Sequence, residues 1–224
     1  MPRFYPAGTR SGDLLAHYSQ RLPAVELNNT FYQQPSASKV TGWRAATSAD
    51  FRFVVKAQRG GSSRAMAGIV EPGLPWLTAP YRAFGPQLGS VLFRVPAGVT
   101  RNDERLATLL EAWPIDLPLT LEFQDPSWQV DETFRALAGV GAVWCSTDLP
   151  TTEAPPTLRR TGPHLYIRLR RPDYGQAAIA AWADRLEPFL DDGLDVFAFF
   201  RHDDVGRGGE LAIALREAVE QRRR

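Results

Sequence analysis

Short apolar or alternating runs recur along the chain and are separated by segments with helical spacing. In those segments apolar residues return every three or four positions, as at Leu106, Leu109 and Leu110. Seven of the runs predict β-strands, at residues 24–29, 51–57, 91–96, 119–124, 142–148, 165–170 and 196–201. Regular alternation of strand and helix predicts the α/β class with a parallel sheet. We therefore expect residues 1–224 to form a single TIM-barrel-like parallel β/α-barrel domain.

Two features depart from a regular eight-stranded barrel. Glycines, serines and prolines dominate residues 60–75, which predicts a long loop followed by a short helix near Trp76. The count of strands is seven, so the barrel is expected to lack its N-terminal first strand. Either the barrel is incomplete or the coding sequence begins further upstream. An open seam between the first and last strands would expose strand edges, and such edges invite pairing with a second copy of the chain.

Charged residues concentrate on one face of the predicted strands. In the run VELNNTFY, if Val25 and Leu27 face the helices, then Glu26 and Asn28 face the barrel interior. The same reasoning, with the apolar positions of each strand facing the helices, places these further side chains inside: Arg52, Lys56, Arg94, Glu122, Gln124, Ser146, Asp148, Tyr166, Arg168, Arg170 and His202. Most of them lie toward the C-terminal ends of their strands, where barrel enzymes place their active sites. The pattern predicts a polar cup.

The cup suggests both acid–base chemistry and anion binding. Glu122 is the candidate general acid/base and Glu26 its partner, while arginines can clamp a carboxylate or phosphate. The candidate catalytic residues are Glu26, Glu122, Lys56 and Asp148, and the candidate ligand-binding residues are Asn28, Tyr32, Arg94, Trp128, Arg168 and His202. The expected ligand is a small anionic or polyhydroxylated molecule such as a sugar, a phosphate or a nucleotide-like compound.

A purely structural interpretation competes with this one. Glu26, Glu122 and Asp148 could simply pair with Lys56, Arg94 and Arg168 in a buried ion network. Removing charges from water costs several kcal/mol per ion before pairing, so an apolar interior would be cheaper, and this favours a functional cup. A non-catalytic barrel that binds another chain remains a second hypothesis.

Composition narrows the classes of partner. Lys and Arg number 26 against 25 Asp and Glu, and the resulting formal charge of +1 provides no field that would attract a membrane surface or nucleic acid. Nucleic-acid processing therefore rests on an arginine-rich rim, from Arg168 to Arg171 and at Arg201 and Arg207. No apolar run is long enough to span a membrane, and the single cysteine, Cys145, fits a reducing compartment, so we expect a cytoplasmic protein. The three histidines suggest no metal site, and no cofactor is expected.

Motifs in a fixed order extend over nearly the whole chain. They are Phe4-Tyr5-Pro6, residues 25–32 with Pro35-Ser36, Phe51-Arg52-Phe53 leading to Lys56, Leu88-Gly89, Glu122-Phe123 with Pro126-Ser127-Trp128, Asp148, and Tyr166-Ile167-Arg168. This series resembles the YecE-like family, a domain of unknown function (DUF72). The resemblance implies a TIM-barrel-like fold and no established activity. Family members usually begin with a strand carrying a Gly-Thr-Ser-Gly-Trp-like motif, which is absent here.

Overall fold

Seven parallel strands form a nearly closed barrel in the part of the chain that the structure, a computed structural model, describes: residues 4–203 and 206–223. The strands are β1 (Ala24–Leu27), β2 (Arg52–Lys56), β3 (Leu88–Val95), β4 (Leu119–Phe123), β5 (Val143–Asp148), β6 (His164–Leu169) and β7 (Asp195–Phe200). Each pairs in parallel with the next along the chain. Within the described residues β1 and β7 share no ladder. The predicted fold class and the seven strands are confirmed.

Helices connect the strands and cover the outside of the barrel. They are α1 (Leu14–Ser19), α2 (Ala37–Ala45), α3 (Arg59–Met66), α4 (Gly73–Thr78), α5 (Asp103–Ala112), α6 (Asp131–Gly139), α7 (Gln176–Asp191) and α8 (Arg207–Arg222). The side chains of Ser36 and Asn102 accept hydrogen bonds from backbone N–H groups in the first turns of α2 and α5. Short 3-10 segments lie at residues 11–13, 29–31, 79–87 and 126–128.

The prediction of a long loop at residues 60–75 is wrong, because α3 and the start of α4 lie within this range. The Gln58 side chain accepts a hydrogen bond from the N–H of Gly61 and caps α3. Ala65 and Met66 are buried on its inner face, and Gly61 approaches Leu77 so closely that an added Cβ would meet that side chain. Glycine is unfavourable for an isolated helix, but here the close packing of α3 on α4 requires it.

Two layers of apolar side chains stabilise the barrel. The outer layer packs strands against helices and includes Phe53, Phe93 and Leu121, all fully buried. The inner layer fills the middle of the barrel with a second cluster of Val54, Leu92, Val143, Cys145, Tyr166 and Phe199. The interior charges of Glu26, Glu122 and Arg168 therefore lie at the C-terminal end of the barrel, above this apolar floor, whereas Arg52 lies at the start of β2 beside Phe197.

The predicted orientation of side chains is wrong for β5 and β7. The Thr147 hydroxyl bonds to Glu122 inside the barrel, so Ser146 and Asp148 point toward the helices. In β7, Phe197 and Phe199 pack on Tyr166 in the interior, whereas the alternate residues pack against the cluster of α7 and α8. Both strands carry apolar residues on both faces, so their alternation does not indicate which face is inside.

Candidate functional site

The guanidinium group of Arg168 joins two buried carboxylates at the C-terminal end of the barrel. Its Nη2 lies 2.7 Å from Oε1 of Glu26 on β1, and its Nη1 lies 2.8 Å from both carboxylate oxygens of Glu122 on β4. The three side chains are 3%, 4% and 1% exposed, respectively. Burial at this level makes the pairing obligatory, because an unpaired charge would lose its hydration without compensation.

Neighbouring hydroxyl groups donate further hydrogen bonds to the two carboxylates. The Thr147 Oγ1 donates to Glu122 over 3.0 Å, and the Tyr166 hydroxyl donates to Oε2 of Glu26 over 2.7 Å. Burial opposes ionisation of Glu122, but Arg168 and Arg94 outweigh it and lower the pKa of its carboxyl. Burial, and next the Glu26 carboxylate, raise the pKa of Tyr166 well above its ordinary value, so its hydroxyl remains a donor.

Further cationic side chains lie around this ion network. Lys56 lies at the end of β2, with its Nζ 4.4 Å from the centre of the Phe31 ring and 3.4 Å from Oδ1 of Asn28. Burial, followed by the positive charge of Arg168, lowers the pKa of Lys56 to about 8. Arg94 on β3 is one-third exposed, and its Nε lies 3.6 Å from Glu122 without a hydrogen bond.

Arg170 adds a fourth positive charge to the same end of the barrel. It is half-buried directly after β6, and among the described residues its guanidinium forms no hydrogen bond or ion pair. Burial, and next the charge of Arg168, lower the pKa of Arg170. The cluster therefore contains more cations than carboxylates: Lys56, Arg94, Arg168 and Arg170 against Glu26 and Glu122. Such an imbalance favours an anionic ligand.

The structure brings together six of the residues predicted for the cup: Glu26, Asn28, Lys56, Arg94, Glu122 and Arg168. Asp148 is not among them, because it lies on the helix-facing side of β5 and accepts hydrogen bonds from Arg171 and Tyr174. Its predicted place in the cup is wrong.

The three rim residues proposed for ligand contact have different positions. Trp128 is fully buried, stacks on Phe123 and donates its indole N–H to the carbonyl of Val99, so it is a core residue and not a ligand platform. Tyr32 is 77% exposed and lies against Phe31. His202 is exposed beyond the end of β7 and lines a cleft beside β1 that also reaches Glu26, Asn28 and Arg170.

Sequence reasoning missed the parts played by Thr147 and Arg170 in the cup. The polar residues Ser146 and Asp148 predict the interior face of β5, and alternation along the strand then puts Thr147 on the helix-facing side. Arg170 is predicted inside and enters the nucleic-acid hypothesis, but it is not among the predicted ligand-binding residues, although it shares its orientation with Arg168 two residues earlier. No group of three His, Cys, Asp or Glu side chains in residues 4–203 and 206–223 is arranged to hold a metal ion.

Comparison with known proteins identifies the family. The description "Protein of unknown function DUF72" belongs to a family profile that matches residues 1–224. The chain belongs to the DUF72 family. A curated relative is the UPF0759 protein YunF of Bacillus subtilis (strain 168), which is 24% identical over 259 aligned positions that cover 96% of this chain and 90% of YunF.

Solved structures of DUF72 proteins have the same fold. TM1631 from Thermotoga maritima MSB8 superposes with a TM-score of 0.79 at 22% identity, covering 96% of this chain and 92% of that protein. EF0366 from Enterococcus faecalis V583 gives 0.76 at 21% identity, covering 95% of each chain. This DUF72 chain therefore shares the barrel fold of its family. A barrel fold does not by itself indicate an activity, which depends on the residues of the site. None of the helices described here is long and apolar enough to cross a membrane.

Proposed function

We propose that this DUF72 protein binds a small anionic or polyhydroxylated ligand at the C-terminal end of its barrel. The observation that carries the proposal is the excess of positive charge around the buried Glu26–Arg168–Glu122 network. Lys56, Arg94 and Arg170 would face the ligand, and Arg168 would hold the carboxylates beneath it. Phosphate or carboxylate groups match this set, because charge-assisted hydrogen bonds to arginine and lysine are strong.

Acid–base catalysis is a narrower possibility within this proposal. The lowered pKa keeps Glu122 ionised at neutral pH, which suits a proton acceptor or an electrostatic support better than a general acid. Arg168 already occupies both carboxylates, so a catalytic role for Glu26 or Glu122 requires a ligand that displaces or shares this guanidinium. Binding is thus the function that the contacts support best.

Titration calorimetry with inorganic phosphate, glucose 6-phosphate and glucose tests the proposal. Arg94→Gln should weaken binding of the two phosphates at least tenfold, because a hydrogen bond to a charged group contributes about 1.5–3 kcal/mol. Arg82→Gln is the matched control, since Arg82 pairs with Asp116 on the surface, outside the cup. Absence of binding by the wild type, or equal weakening in both variants, would contradict the proposal and favour a purely structural ion network.

The pH dependence of phosphate binding gives a second test of the same site. Lys56 has a pKa of about 8, so raising the pH from 7 to 9 removes its positive charge and should weaken binding. The Lys56→Met variant should bind more weakly at pH 7 and should lose this component of the pH dependence. Identical pH profiles for the two proteins would show that Lys56 does not contact the anion.

A further inference from the structure

A cleft of about 810 Å³ runs along the seam between β1 and β7. Its walls are the edges of the two strands together with α1 and α8. Apolar side chains supply most of the lining, among them Leu15, Tyr18, Val25, Phe197, Ala212 and Leu215. The volume lies in the range of sites that enclose small organic molecules. The residues that line it on α8 run from Gly208 to Val219, which spans about 17 Å at 1.5 Å per helical residue.

Arginines with no ion pair in the described part of the chain lie at one end of this cleft; Arg216, which lines it on α8, is instead paired with Glu220 and donates to the carbonyl of Arg21. Arg170 and Arg201 line it at the C-terminal ends of β6 and β7. Among the described residues neither guanidinium forms an ion pair or hydrogen bond. The carboxylates that line the same end are engaged elsewhere: Glu26 binds Arg168, and Asp203 accepts hydrogen bonds from the N–H groups of Arg207 and Gly208. An apolar channel with cations at its mouth is complementary to an organic anion.

The width of the seam distinguishes between possible occupants. Cα atoms of β1 and β7 approach within 8 Å. An inserted β-strand needs two strand spacings, about 9.5 Å, between its neighbours. An extra strand, from another protein or a second copy, therefore requires the seam to open, whereas an alkyl chain or a single aromatic ring does not.

We propose that the seam cleft binds an organic anion with an apolar body, such as a medium-chain carboxylate, whose charged end lies at Arg170 and Arg201. This inference goes beyond the proposed function and shares Arg170 with it, because Arg170 lies at both the cup and the mouth of the cleft. The apolar body would lie between α1 and α8, and its burial there would supply affinity that a small inorganic anion cannot gain.

Calorimetry with butanoate, hexanoate and octanoate tests the apolar part of the site. Each buried methylene should tighten binding about fourfold, so octanoate should bind about 250-fold more tightly than butanoate if all four extra methylenes are buried, and at least tenfold more tightly if two are. Ala212→Trp, which fills the cleft from α8, should remove this gain. Ala181→Trp is the matched control, since Ala181 is exposed on α7 and lies outside the cleft.

Octanol binding tests the contribution of the charged end of the cleft, and phosphate binding tests the cup. Arg170→Gln should weaken octanoate at least threefold and leave octanol binding unchanged. If phosphate binds in the cup but affinity does not rise with chain length, the cleft proposal is wrong while the proposed function stands. If octanoate binds and Ala212→Trp abolishes that binding, but no phosphate binds, the cleft stands and the cup proposal fails. A dimer in light scattering that Ala212→Trp dissociates would overturn the small-molecule proposal in favour of a second copy at the seam.

Discussion

Arg168 donates to two carboxylates on opposite parts of the barrel wall, Glu26 on β1 and Glu122 on β4. Neither carboxylate is accessible enough to regain hydration if the guanidinium is removed. At the scale of single residues, the three charged groups are therefore stabilised by their pairing with one another and not by hydration. Around these three groups, Arg94 approaches Glu122 to 3.6 Å and is one-third exposed, Arg170 is half-buried, and Lys56 is buried against Asn28 and Phe31.

Replacing Arg168 by methionine should destabilise the protein strongly. The change leaves two buried carboxylates without a counter-charge, which costs about 3–5 kcal/mol in the free energy of unfolding. Arg82→Met removes an exposed ion pair with Asp116 and should cost at most about 1 kcal/mol. Urea unfolding of both variants measures the difference. Equal costs would show that the Glu26–Arg168–Glu122 network adds nothing to stability.

At the scale of elements, α5 illustrates how a helix end can position the barrel rim. Asn102 accepts a hydrogen bond from the N–H of Arg105, and acidic residues occupy the first turn. The segment before it is joined to the loop after β4, because Trp128 donates to the carbonyl of Val99 and Ser127 accepts from the N–H of Arg101. The helix start thus fixes the connection that leaves β3 just beyond Arg94.

Removing the cap of α5 should have a moderate and local cost. Asn102→Ala leaves the N–H of Arg105 without its partner and should lower the free energy of unfolding by about 1 kcal/mol. Asn102→Asp keeps an acceptor at the cap and should stay within about 0.5 kcal/mol of the wild type. Urea denaturation separates these outcomes. A cost for the aspartate variant as large as that for alanine would mean that the cap hydrogen bond is not responsible.

At the scale of the whole molecule, the barrel has a charged end and an apolar end. The charged network lies at the C-terminal ends of the strands, and below it Phe197 and Tyr166 fill the interior. His164 begins β6 at the opposite end, buried against Phe197 with ring centres 5.0 Å apart. Burial, opposed by Asp195, lowers the pKa of His164 to about 4. Its imidazole is thus neutral in the folded protein.

Stability should fall on acidification between pH 6.5 and 4 because of His164. In this range the unfolded chain binds a proton at its ordinary pKa of 6.5, whereas the folded protein does not, so unfolding is favoured as the pH decreases. The contribution is on the order of 2–3 kcal/mol by the end of the range. His164→Phe should remove it, as seen in urea midpoints at pH 7 and pH 4.5. Parallel pH profiles for wild type and variant would contradict the assignment.

Much of the architecture was predictable from local patterns. The alternation of strands and helices gave all seven strands in order, since hydrophobic periodicity depends only on neighbouring residues. The positions of Glu26, Lys56, Arg94, Glu122 and Arg168 inside the barrel also followed, because each of their strands has one clearly apolar face. Homodimerisation through the seam and a cytoplasmic location stay predictions.

Tertiary structure decided the rest. The sequence determined which side chains face the interior in strands of clear polarity. β5 and β7 carry apolar residues on both faces, and only packing orients them: Trp144 of β5 packs on Phe134 of α6, and β7 packs on α7 and α8. Trp128 is predicted at the rim but lies in the core, because it stacks on Phe123, which in turn stacks on Trp144. The pairing of Arg168 with Glu26 joins residues 142 positions apart. Local pattern carries no information on such a contact, because closure of the barrel alone brings the two strands together.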